Sequence, residues 1–135
     1  MVQPSASLAK PRVLVVDEDP SVQYFTRILL HDICVSVSAY SASAAYSLLG
    51  SRTFDLVILS LEQPRGEDGL DVLQTLRAIP GCETLPVIGS AIDVQAERRK
   101  QWIEHGFDAI ISKLPDPLAM RETVRRILGS GASPA

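Results

Sequence analysis

Short β-branched and leucine-rich runs recur along this chain with amphipathic stretches between them, and that alternation leaves few folds open. Arg12–Val16 (RVLVV) has the pattern of a strand buried on both faces. It stops at Asp17-Glu18-Asp19, where Asp19 suits a helix cap and Pro20 the first helical turn. That helix is expected to reach about His31, with Val22, Phe25, Ile28 and Leu29 on its apolar face. Ile33–Val37 reads as a second strand, and Ser41–Leu49 as an Ala-rich helix closed by Gly50. Leu56–Ser60 (LVILS) is a third buried strand, followed by a loop with Pro64, Gly66 and Gly69. Leu70–Ile79 should be helical and end before Pro80. Val87–Gly89 forms a short fourth strand, Asp93 caps a helix reaching Gly106, and Ala109–Ser112 is a fifth strand. A last helix is expected from Pro117 to Leu128. Five strand–helix units in order predict an α/β protein with a parallel sheet covered on both faces.

Bulk properties agree with one globular domain, expected over residues 12–128 between tails at 1–11 and 129–135. Apolar residues make up 46%, enough for a core. Thirteen basic and sixteen acidic residues give a net charge of −3, which argues against a nucleic-acid binder. No apolar run approaches the roughly 20 residues of a membrane helix, and Met1–Lys10 lacks the apolar stretch of a secretion signal. The expectation is a cytoplasmic protein. Cys34 and Cys82 have no metal spacing, and neither His31 nor His105 has a partner at ligand spacing. Both histidines fall near expected helix ends, where a protonated ring offsets the helix dipole.

In doubly wound sheets the site lies beyond the carboxyl ends of the strands. Those ends carry Asp17 and Glu18, Ser60, Ser90 and Lys113. Two acids, two hydroxyls and a lysine in one place suggest phosphoryl chemistry or a relic of it. The acids are oxygen ligands suited to Mg2+, and the lysine is suited to a phosphoryl oxygen.

The stretches VLVVDEDP, FDLVILSLEQPRGEDGL and KLPDP together resemble the receiver domains of bacterial two-component systems, from about Arg12 to Leu128. The resemblance implies a flavodoxin-like (βα)5 fold with strand order 2-1-3-4-5. It assigns Asp17 and Glu18 to the acidic pair, Ser90 to the Thr/Ser hydroxyl, Lys113 to the family's lysine and Ile110 to the position of the switching aromatic. Counting back four from Pro64, or forward from Asp55-Leu56-Val57-Ile58, places Ser60 where the family carries its phosphate-accepting aspartate. Leu114 stands where the family has a proline, with Pro115 one place late, so no cis bond is assumed there.

A carboxylate attacks phosphorus without first losing a proton, whereas a serine hydroxyl needs a base. Losing a carboxylate also weakens any Mg2+ site, leaving Asp17 and Glu18 to hold the ion weakly at most; no cofactor is required. Lys113 is then expected to pair with those two acids. Asp55 lies five residues from Ser60, about 16 Å along a strand, too far to substitute. Glu62 sits on the adjoining loop, but its length and origin argue against it as a replacement acceptor. Asp68 and Asp71 suit the next helix start. Ile110 cannot supply the polar ring of a switch.

These departures imply a phosphorylation-independent module that docks a histidine kinase, an output protein or a second copy of itself. The family's face of fourth helix, fifth strand and fifth helix would carry Arg98, Arg99 and Trp102, with Arg121, Arg125 and Arg126 as a companion strip. A charge run such as Glu97–Lys100 also suits a plain solvated helix face. Phosphorylation at Ser60 or Glu62 is the alternative. Asp17–Ser21 also loosely resembles the nucleophile loop of haloacid-dehalogenase-like phosphatases, but no cap domain fits. A flavodoxin-like cofactor site would be repelled by Asp17-Glu18-Asp19. Only seven residues follow Leu128, so an output domain is not expected within this chain.

Overall fold

A computed structural model describes residues 10–62, 68–113 and 117–132. The strands are β1 (Arg12–Val16), β2 (Val35–Ala39), β3 (Leu56–Ser60), β4 (Val87–Ala91) and β5 (Ala109–Ser112). The helices are α1 (Pro20–Leu30), α2 (Ala42–Ser51), α3 (Gly69–Arg77), α4 (Ala96–Glu104) and α5 (Pro117–Ala132). All strand pairs are parallel, in the order β2-β1-β3-β4-β5, a flavodoxin-like (βα)5 fold.

Alternation along the strands splits the core in two. Leu14, Val16, Val57, Leu59, Val87 and Ile110 face one way and pack with residues of α2, α3 and α4. Val13, Val15, Ile58, Ile88 and Ile111 face the other and pack under α1 and α5. Each such side chain, fully buried, contributes about 1.5–3 kcal/mol.

Several element ends differ from the sequence expectation, each for a local reason. β2 begins at Val35 because Ile33 and Cys34 fold back to donate their amides to Leu30 O. α2 runs through Gly50 to Ser51, with Ser41 capping Ala44 N. Asp93 does not cap α4, whose cap position is Gln95; β4 continues to Ala91 and takes Ser90 into the sheet. α5 extends to Ala132, beyond the expected stop at Leu128. Gly106, just past α4, has φ +118°, a left-handed conformation that favours glycine. Asp19 and Asp68 cap α1 and α3 as their sequences suggest, and His31 and His105 stand at the C-caps of α1 and α4. The tail residues 1–9 and 133–135, and the loop prolines Pro64 and Pro115, lie outside the described residues.

α1 corrects the expected helix face. Its buried residues are Gln23, Thr26 and Leu30, while Phe25 and Ile28 are exposed. The cause is backbone satisfaction at the sheet end. The Gln23 amide donates to Val15 O at 2.9 Å and to Asp17 O and Ala39 O at 3.0 Å, so two hydrogens serve three carbonyls. Gln23→Met should therefore cost about 1–3 kcal/mol despite its similar volume. Urea denaturation measures this directly, and an unchanged midpoint would show that water serves those carbonyls equally well.

Candidate functional site

The carboxyl ends of β1, β3 and β4 and the residue after β5 meet at one edge of the sheet. Register places Val16 beside Leu59, and Ser60 beside Ser90. Lys113 is fixed by its backbone N–H, which donates to Ala91 O at 2.8 Å. Strand alternation turns Asp17 inward, where it is 3% exposed, and leaves Glu18 exposed.

The Lys113 ammonium has three donors and meets three acceptors: Asp17 Oδ2 at 2.9 Å, Glu62 Oε1 at 3.0 Å and Ser60 Oγ at 2.8 Å. Ser60 Oγ in turn donates to Glu62 O at 3.1 Å. Asp17 Oδ1 accepts the Asp19 amide at 2.9 Å. Burial works to lower the Lys113 pKa, but the hydrogen bonds and charges of Asp17 and Glu62 outweigh it. The net result lies above the ordinary 10.5.

This corrects the expected pairing, because the second acid on Lys113 is Glu62 and not Glu18. Antiparallel bridging of Glu62 with Asp68 holds the loop base so that the Glu62 side chain turns back over the strand ends. The signal available in the sequence was only its position, two residues beyond Ser60. The donor set does not suit Mg2+ as arranged. Asp17 is the one buried carboxylate of the cluster and is engaged at both oxygens, and among the described residues no three His, Cys, Asp or Glu gather as metal ligands.

Ile110 is 3% exposed and packs in the core beside Trp102 and Phe107. Its seat exists because position 89 is glycine: a Cβ there would lie 2.9 Å from Ile110 Cδ1 and 3.2 Å from Phe107 Cδ1.

The arginine set separates. Trp102 is a buried core residue, 6% exposed, with the Arg98 guanidinium stacked 4.7 Å from its ring centroid. Arg99 donates to Ile110 O at 2.7 Å and ties α4 to β5. Arg121 does not join them. It turns to the other side, donating to Leu29 O and pairing with both oxygens of Asp32. That bidentate hydrogen bond holds the Asp32 carboxyl well below the usual carboxylate range. Arg125 and Arg126 are exposed. A cavity of about 490 Å³ between α1 and α5, lined by Phe25, Ile28, Pro117 and Met120, opens toward Asp17 and Lys113. The outward-turned Phe25 and Ile28 of α1 form part of its lining.

The family profile of the response regulator receiver domain matches residues 13–125. A 14.6 kDa uncharacterized protein of Leptolyngbya boryana is 31% identical over 121 residues, covering 89% of this chain and 92% of that protein. The response regulator Rre1 of Synechocystis is 31% identical over 125 residues. The sensor protein GacS of Pseudomonas syringae is 27% identical over 131 residues. This chain covers 90% and 94% of its own length in those two matches, but only 53% of Rre1 and 14% of GacS. Among solved structures, a putative response regulator from Chloroflexus aurantiacus superposes with TM-score 0.80 at 22% identity, covering 89% of this chain and 98% of that one.

Proposed function

We infer the function from one premise: this chain belongs to the response regulator receiver domain family and is a module of two-component signalling. Within that family we read it as a receiver that works by docking a protein partner, independently of aspartyl phosphorylation. Ser60 takes the phosphoacceptor position, Asp17 and Glu18 the acidic pair, Ser90 the hydroxyl and Lys113 the lysine. The observation that carries this reading is the surrounded ammonium. Lys113 Nζ is ion-paired with Asp17 and Glu62 and donates to the serine hydroxyl at the end of β3. The Ser60 hydroxyl donates to Glu62 O and accepts from the lysine, and a serine, unlike an aspartate, must lose a proton before it can attack phosphorus. Lys113 takes the part of a cation here, and Mg2+ is held weakly at most.

The docking surface in this reading is the face of α4, β5 and α5. The hydrogen bond from Arg99 to Ile110 O and the burial of Trp102 in the core hold α4 in one place, as a preset surface requires. The partner is a histidine kinase, an output protein or a second copy. Sensor histidine kinases such as RcsC of Salmonella typhi contain a stretch 30% identical to this chain over 117 residues. No described helix is long and apolar enough to cross a membrane.

Acetyl phosphate and a phosphorylated kinase, each with Mg2+, test the reading when products are mapped by mass spectrometry. The expected result is no site-specific phosphate, with partner capture equal in its presence and absence. Label on Ser60 or Glu62 would replace this reading with phosphorylation at a non-standard residue.

A further inference from the structure

The side chain of Glu62 is 44% exposed, yet both its carboxylate oxygens are engaged. Oε1 lies 3.0 Å from the Lys113 ammonium, whose side chain is 8% exposed. Oε2 accepts the Ile92 amide at 2.8 Å. Ile92 directly follows β4 and opens the short segment that leads to α4. The parallel ladder between β4 and β5 ends at Ala91 and Ser112. Past that point, one carboxylate joins the end of β3, the residue after β5 and the first residue of the β4–α4 segment.

We propose that Glu62 is a built-in anion latch: its carboxylate fills an anion seat made by the Lys113 ammonium and the Ile92 N–H, and so fixes the segment that positions α4. The seat has the features of an anion site, a buried cation and a convergent backbone donor. It is filled from within the chain by a tether two residues long from Ser60, which gives the carboxylate an effective concentration of the order of millimolar or above. External oxyanions at low concentration are therefore shut out. Half-exposure of the side chain lets it swing out without opening the core, so the latch opens far more often than the fold unfolds. The device goes beyond the docking role and is measured on the free protein, with neither partner nor phosphodonor present.

Amide hydrogen exchange, read by NMR on the full chain, tests it. Glu62→Ala should accelerate exchange at Ile92 by roughly tenfold while β1 and β3 amides keep their protection. Sodium acetate should restore protection at Ile92 in that variant beyond sodium chloride of equal ionic strength. Wild type should show no acetate response. Unchanged exchange at Ile92, or acetate rescue no better than chloride, would overturn the latch. If Glu62→Ala loosens β1 and β3 as well, Glu62→Gln decides. It keeps an acceptor but not the charge, and is expected to lose protection at Ile92 alone; protection equal to wild type would overturn the proposal.

Discussion

Lys113→Met is expected to lower stability by about 3–5 kcal/mol, a fall in Tm of roughly 10–20 °C for a domain of this size. The loss comes less from the missing ion pair than from what stays behind. Asp17 is 3% exposed, and its Oδ2 faces the ammonium at 2.9 Å. Without the lysine it is a buried charge with no counterion. Adding Asp17→Asn to Lys113→Met should therefore recover a large part of the deficit, a coupling that a double-mutant cycle reads directly. The pH dependence has a definite sign. Because the folded pKa of Lys113 lies above 10.5, its contribution is fully present below that pH and is lost as pH rises through the folded value. The Tm gap between wild type and Lys113→Met should then narrow above pH 10.5. A variant within two or three degrees of wild type at neutral pH would show that the cluster does not hold the fold.

Ser60→Asp should turn the same cluster into a cation site. Ser60 Oγ lies 2.8 Å from the lysine and is 2% exposed as a residue, so a carboxylate there adds buried negative charge beside Asp17. Without metal the variant should be less stable than wild type, since two close carboxylates disfavour each other's ionisation. With Mg2+ it should recover, with affinity raised at least tenfold over wild type, whose Tm should move by about 1 °C or less at millimolar Mg2+. Acetyl phosphate should then label the introduced carboxylate. Thermal denaturation across a Mg2+ series decides the matter; the same weak response in both proteins would mean that position 60 does not face the acids as its geometry implies.

The fold was legible from its strands. RVLVV and LVILS are too apolar and β-branched for anything but buried strands, and their alternation with helical stretches dictates a covered parallel sheet. Helix ends were less legible, because capping depends on neighbours: Asp93 has the chemistry of a cap but β4 runs on past Ser90. The face of α1 misled periodicity because a glutamine was drawn inward by carbonyls of two strands and of Asp17 just past β1, a demand that no single helix displays. Asp17, Ser60, Ser90 and Lys113 gathered where strand ends required. Glu62 did not announce itself, since a loop side chain's direction is set by the loop's own backbone. Arg121 was assigned to the wrong neighbour for a similar reason: its partner Asp32 is 89 residues away in the chain.

Gly89 and Ile110 carry a consequence for how this chain can vary. The volume absent from one strand is the volume occupied by the next, with 2.9 Å between Ile110 Cδ1 and the place a side-chain carbon would take. The two positions share one fixed allotment of space. A methyl at 89 makes the tip of the isoleucine shift, with Leu61 and Phe107 close beside it, and a wider ring at 110 draws on the same space. A change of size at either position is therefore felt at the other.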